Sequence, residues 1–394
     1  VTARHCQAAT KNLPPTLIAM PIAPILRELI ELLPTLTEKV GDYRALVGLD
    51  GFVDRIQHIV QNREINQVGY FQSIATFSSH LGTLAGRSGQ VEMDTQETKL
   101  GGNAPIMANA LGALGIRNYV VACIGDPVFG QMHPLCQQVP IGPAAYTNAF
   151  EFQDGKLMFS DMGAFAHLTW EKVKSVISPP SLRAYAIESQ LLAFVDWANM
   201  PHCTGIWQGL LDEVVRYLPI DPPKKFLFDL CDPSRNTPEA IREVLAVVSQ
   251  YSAFGQVTLG MNENEARKIW LVLNGYSPND NAQLHQMPKI NLAANFIFDQ
   301  LKIHTLLVHP VDRAIACTAA GTTEIAGRVV NRPKILTGGG DNLNAGYCLG
   351  LLAGLPLAKC MVLGMASSGA YIQYGFSPGL HELRDYLREW ERSS

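Results

Sequence analysis

The sequence predicts an α/β fold, a doubly wound and mostly parallel central sheet flanked by helices, with a small antiparallel sheet beside it. Two observations carry this. The runs ALVGLDGFV, NYVVACIG, LLAFVDWA, KFLFDL, QVTLGM and HTLLVHPV are short and apolar, as buried strands are, and most lead into amphipathic segments such as TGIWQGLLDEVVRYL or TPEAIREVLAVVSQY. Strand–helix alternation of this length builds a parallel sheet with helices on both faces. Two stretches break the rhythm: VEMDTQETKL at 91–100, and AYTNAFEFQDGKLMFSDM at 145–162 with Asp154-Gly155 at its turn, alternate polar and apolar residues. They are expected to form the small sheet, placed as a lid.

In chain order, the first forty residues stand apart. Pro14, Pro15, Pro21, Pro24 and Pro34 punctuate them, and ILRELIELL between the last two puts Ile25, Leu29 and Leu32 on one helical face. Residues 1–42 are therefore expected to be an N-terminal helical extension. Residues 43–394 read as one domain with a discontinuous lid drawn from about 54–60, 91–100 and 145–162. The first strand of that domain ends in GLDGFVD, which brings Asp50 and Asp54 to a strand's C-terminal end, where open α/β sheets bind ligands. Each could instead cap a turn around Gly51. Gly101-Gly102 reads as a strand-to-helix turn that lets backbone approach a ligand. FVDWANM and FLFDLCDPSR bring Asp196, Asn199, Asp229, Asp232 and Arg235 to further strand ends, and His304 and His309 read first as structural histidines.

Composition narrows the function classes. The chain has 394 residues, 47% hydrophobic and 17% charged, enough for a large core. With 31 basic and 35 acidic residues, net −4, there is no cationic surplus for a phosphate backbone, so no nucleic-acid partner is expected. Eight scattered cysteines without a CxxC pair point to a reducing setting and no zinc site. No apolar run is long enough to span a bilayer and no signal-peptide pattern opens the chain, so the expectation is a cytoplasmic protein with no membrane partner.

The chemistry concentrates in GGGDNLNAG at 338–346, ahead of a helix-prone apolar run. Glycines let backbone close on an anion while the unpaired N–H groups of a helix's first turn point at it. Helix capping by Asp341 would explain the aspartate but not three glycines before it. Neither GxxxxGK[ST] nor a GxGxxG after the first strand is present, which argues against a P-loop and against a dinucleotide fold. An aspartate at the end of such a nest suits a base that takes a hydroxyl proton while the nest holds a phosphoryl group.

TGGGDNLNAG resembles the C-terminal signature of the ribokinase-like carbohydrate kinases, the phosphofructokinase B-type family, usually close to DTxGAGDxFxAG. KLGGNAPIMANALGALG followed by NYVVACIGDPVFG looks like the family's GGxxxNxAxxLxxLG and GDDxFG, and MNENEA at 261–266 is similar to its NxxE. The resemblance covers about residues 43–394. It implies a ribokinase-like fold and ATP-dependent transfer of the γ-phosphoryl group to a sugar hydroxyl. Asp341 would be the base and Gly338, Gly339 and Gly340 the anion hole. Asp54 would hold the acceptor hydroxyls, with Asp50 in reserve and Gly101, Gly102 and Asn103 beside the sugar. Asn262 and Glu265 would organise Mg2+ through water, and with Thr337, His309 and Asn344 would lie near the nucleotide. ATP and Mg2+ are the implied co-substrate and cofactor, a monovalent cation is left open, and pairing through the lids makes a homodimer the expected assembly.

Several departures bear on this. Ile335 replaces the usual aspartate six residues before Asp341, Leu343 replaces a phenylalanine, and Arg235 stands near where the family has a DxNxR-like element. Ile106 occupies the signature's asparagine position and cannot hydrogen-bond a sugar, though Asn103 lies one helical turn earlier. His309-Pro310-Val311 stands in place of a TxGxxG-like segment. The acceptor is therefore open between a sugar, a nucleoside and a vitamin precursor. A catalytically silent nucleotide-binding regulator is the alternative of another class, and a nicotinamide-dependent dehydrogenase is disfavoured by the missing GxGxxG.

Overall fold

The computed structural model describes residues 17–335 and 337–394, so the readings that fall on residues 1–16 lie outside the described residues. All six apolar runs contain a strand: Arg44–Gly48, Arg117–Ala122, Leu191–Phe194, Lys224–Asp229, Gly255–Asn262 and Thr305–His309. They pair in parallel, in the order 117–122, 44–48, 191–194, 224–229, 255–262, 305–309. Their residues are buried on both sides, as in Leu191–Phe194, which is why they read as continuous apolar runs without alternation. Cys136–Pro140 extends one edge; Arg313–Thr318, Gly321–Ala326 and Leu17–Ala19 extend the other. Of the described strands in this ten-stranded sheet, Arg313–Thr318 is antiparallel to both its neighbours.

Helices cover both faces. Ile22–Lys39, Asn103–Ala113, Gly339–Leu352, Leu357–Tyr374 and Leu380–Ser393 contribute to one hydrophobic layer. Cys203–Glu213, Pro238–Gln250, Glu263–Leu273 and Ile290–Gln300 contribute to the other. The strands Arg44–Gly48 and Leu191–Phe194 are neighbours, but the helices that follow them, Asn103–Ala113 and Cys203–Glu213, belong to opposite layers. Loops leaving such a switch point diverge and open a crevice at the strands' C-terminal ends.

The described part of the N-terminal segment, residues 17–42, packs into the domain instead of standing apart from it. Helix Ile22–Lys39 buries Ile25, Leu26, Leu29, Leu33 and Leu36, packing mainly against Leu380–Ser393, while Leu32 is half-buried. Arg27 pairs with Glu391 and Arg384 donates to the Ile30 carbonyl. Ahead of the helix, Leu17–Ala19 adds a parallel strand to the sheet.

The second sheet has five strands: Phe52–Glu64, Gln67–Tyr70, Met93–Gly101, Ala145–Phe152 and Gly155–Asp161. It is larger than expected and mixed. Phe52–Glu64 pairs antiparallel with Gln67–Tyr70 and Met93–Gly101 but parallel with Ala145–Phe152. The parallel pairing follows from chain path: the first central strand runs almost directly into Phe52–Glu64, so this sheet is tethered at the switch point and stands over the crevice.

Candidate active site

Between the lid and the C-terminal ends of the central strands lies a cavity of about 400 Å³. Phe52, Asp54, Thr147 and Ser160 face it from the lid, Gly102, Asn103 and Ile106 from the start of the helix Asn103–Ala113, and Thr337, Gly338 and Asp341 from the glycine loop. Asn199, Cys231, Asp232 and Arg235 close it from the neighbouring strand ends. The lid strands pair Thr147 with Ser160, whose hydroxyls meet at 3.1 Å.

Each of the two paired glycines makes room for one of the two aspartates. A Cβ on Gly101 would stand 2.3 Å from Asp54 Oδ2, and one on Gly102, whose φ is +94°, would stand 2.6 Å from Asp50 Oδ2. Asp54 reaches the cavity, and burial raises its pKa against the opposing charges of Lys99 and Lys156. Asp50 has a different place from the reserve sugar ligand it was expected to be. It is fully buried and its carboxyl accepts the amide N–H groups of Asn103 and Ala104 at 2.7 and 2.8 Å, capping the helix that begins at Asn103. Burial pushes its pKa up to about 7.

Gly338 is left-handed, with φ +90°, and starts the helix Gly339–Leu352. A Cβ there would lie 2.9 Å from the Tyr371 hydroxyl, which donates to the Thr337 carbonyl, and 3.3 Å from Ile106 Cγ2. Ile106 thus packs on the glycine loop as well as lining the cavity. Asp341 falls in the first helical turn, only 5% exposed, with an Oδ1 that has no partner among the described residues. Burial, followed by the charges of Asp229 and Asp50, raises its pKa well above the usual carboxylate range, and the facing Asn103 amide offsets part of the rise.

On the far side of Asp341, Asn262 and Glu265 form a reciprocal capping box. Glu265 accepts the Asn262 amide N–H and Nδ2 at 2.8 and 2.7 Å, and donates its own N–H to Asn262 Oδ1 at 3.0 Å. Burial, then the charges of Asp229 and Asp232, push Glu265 up to about 8. His309 sits across from Asn262 on the next strand, its Cε1 3.9 Å from where a Gly340 Cβ would be, and burial lowers its pKa. Asn344, expected beside the nucleotide, is fully buried and donates to Asp229 Oδ2 at 2.8 Å, fastening the helix to the strand Lys224–Asp229.

The structure therefore brings Asp54, Gly102, Asn103, Thr337, Gly338 and Asp341 to one cavity, with His309 behind Gly340, and leaves Asp50 and Asn344 beneath it. Sequence reasoning missed Phe52, Thr147, Ser160, Met158 and Met162 as cavity residues. The hairpin alternation that marked the lid could have nominated Thr147, but which lid face meets the crevice is set by sheet pairing. Among the described residues no group of three His, Cys, Asp or Glu is set to hold a metal directly, no disulfide forms, and no helix is long and apolar enough to cross a membrane.

A family model described as prokaryotic ketohexokinase matches residues 27–390. A ketohexokinase from Haloferax volcanii is 28% identical over 367 residues, covering 89% of this chain and 92% of that protein. Among solved structures, ribokinase from Thermotoga maritima superposes with a TM-score of 0.59 at 14% identity, covering 88% of this chain and 99% of the other. Arabidopsis thaliana ribokinase complexed with ribose and ATP gives 0.56 at 14% identity, over 88% and 98%. Adenosine kinase from Sinorhizobium meliloti gives 0.57 at 16%, over 90% and 99%. At those identities the structural likeness speaks for the fold, which is ribokinase-like.

Proposed function

We propose, for a chain that belongs to the prokaryotic ketohexokinase family and is a carbohydrate kinase, that ATP gives its γ-phosphoryl group to a hydroxyl of a ketohexose such as fructose. The observation that carries this reading is the buried, unpartnered Oδ1 of Asp341 in a cavity that also holds Asp54 and opens on the Gly338 loop. A carboxylate whose pKa is raised by burial is a stronger base than one in water, and Oδ1 has no hydrogen-bond partner among the described residues.

In the proposed reaction Asp54 grips acceptor hydroxyls, and Asp341 accepts the proton of the attacking one as its oxygen bonds to the γ-phosphorus. The bond from that phosphorus to the β–γ bridging oxygen breaks in line and ADP leaves. The N–H groups of Gly338–Gly340 and the helix behind them face the phosphoryl oxygens, where fixed donors stabilise developing charge without reorganising. His309 and Thr337 flank that loop on the nucleotide side. Closure of the lid excludes water, which limits loss of ATP to hydrolysis.

The residues fit a magnesium ion held through water. Glu265 is buried among the like charges of Asp229 and Asp232, an arrangement that a dication relieves, and its carboxyl is aimed by Asn262. When bound, Mg2+ neutralises charge on the phosphate oxygens.

The test is Asp341→Asn, assayed for ADP release with ATP and fructose. Turnover is expected to fall by about 10² to 10⁴, the usual contribution of a positioned base, with ATP binding by calorimetry retained. Near-normal turnover would remove Asp341 from the role.

A further inference from the structure

Asn199 lines the acceptor cavity from the turn after Leu191–Phe194, and its amide is held from behind. Nδ2 donates to Asp196 Oδ1 at 2.6 Å and lies 4.0 Å from Cys231 Sγ, while Oδ1 has no partner among the described residues. Asp196 is fully buried, sits in a left-handed backbone with φ +58°, and leaves Oδ2 without an N–H or neutral O–H donor among the described residues. A non-glycine residue held there costs backbone strain, which persists only where the surroundings fix it.

The surroundings that fix it include Asp50. Both carboxyl groups are fully buried and each acts on the other, with the Cys231 thiol a further neighbour of Asp196 and, among the described residues, no cation beside either. Two buried carboxyls in contact without a cation cannot both be charged, so one proton lies between them. Asp50 already accepts two backbone N–H groups. The proton therefore belongs to Asp196, whose O–H donates to Asp50 while its other oxygen accepts from Asn199. Each polar atom then has a partner, and the chain of bonds leaves the Asn199 carbonyl oxygen as an acceptor for the cavity. Burial raises the pKa of both acids, in keeping with the shared proton.

We infer that Asn199 determines acceptor specificity: its Oδ1 accepts a hydrogen bond from one acceptor hydroxyl other than the one phosphorylated, and Asp196 is the positioning residue that fixes the amide's orientation. This rests on the cavity taking a polyhydroxylated acceptor, as proposed above. The site selects an alcohol at that position and rejects a group that only accepts.

The experiment measures kcat/KM for D-fructose and for a set of its deoxy analogues, each lacking one hydroxyl, with wild type, Asn199→Ala and Asp196→Ala. Asn199→Ala is expected to lower kcat/KM for fructose about 10- to 100-fold, as loss of a partner to a buried polar group does. For one analogue, already poor with wild type, it should cause no further loss. Asp196→Ala should reproduce that single-analogue pattern although its side chain does not line the cavity. A uniform loss across fructose and all analogues, or no loss, overturns the assignment. The proton's place is tested apart from activity by thermal unfolding. Asp196→Asn keeps one donor and one acceptor, and should retain the wild-type Tm. Asp50→Asn turns an N–H toward a backbone N–H and should lower it; equal effects overturn the proton assignment. If wild type phosphorylates neither fructose nor any analogue, the proposed reaction falls, and this inference with it.

Discussion

Gly338→Ala tests the glycine loop most directly, because the structure gives each contribution separately. The left-handed backbone, φ +90°, costs a residue with a Cβ about 1–2 kcal/mol. The new methyl would sit 2.9 Å from the Tyr371 hydroxyl, so the tyrosine must shift and weaken its bond to the Thr337 carbonyl, worth about 0.5–1.5 kcal/mol. The smaller entropy of the unfolded chain returns about 0.4–1 kcal/mol. The balance is a destabilisation of roughly 0.5–3 kcal/mol by these terms, read by urea unfolding. Moving the loop also misaligns its N–H groups, and loss of one such donor lowers turnover by about 10² to 10³. Gly340→Ala is the control for stability. That position lies inside the helix, its nearest neighbour would be His309 at 3.9 Å, and alanine favours a helix by about 1 kcal/mol over glycine. Gly340→Ala should therefore be as stable as wild type or more so. Equal stability and turnover in Gly338→Ala and wild type would refute a strained nest held by Tyr371.

Two further outcomes are expected. Glu265 has a folded pKa raised to about 8 from 4.5, so its favourable protonated form stabilises fully below the ordinary value and that stability is lost as pH rises through 8. Relative to Glu265→Gln, wild type should lose stability between pH 5 and 8 in urea titrations, and parallel pH profiles would contradict the shift. Leu29→Ala removes a fully buried side chain between the N-terminal and C-terminal helices and should destabilise the whole domain by about 2–5 kcal/mol in one transition. An early, separate transition would mean that the segment folds apart from the domain.

Much of this was legible in the residues alone. The six apolar runs specified their strands because a parallel strand is buried on both sides, a condition written in the run itself. GGGD specified a helix start with a left-handed glycine, since no other residue takes φ +90° cheaply. The NxxE spacing, read above only as a magnesium motif, also carries the capping box between Asn262 and Glu265, a contact between residues three apart. What the sequence could not decide were the contacts between distant segments. Asp50 and Asp54 look alike in GLDGFVD, yet one lies beneath a helix that starts at Asn103 and the other faces the cavity. Asn344 reads as part of the loop signature until Asp229, far away in the chain, claims its amide. The lid's parallel pairing, the strand at Leu17–Ala19 and the burial of the Ile22–Lys39 helix likewise depend on partners that local pattern does not name. Local propensity determines which element forms and how its ends are satisfied, whereas a carboxylate's role depends on which N–H groups, charges and solvent the assembled fold puts around it.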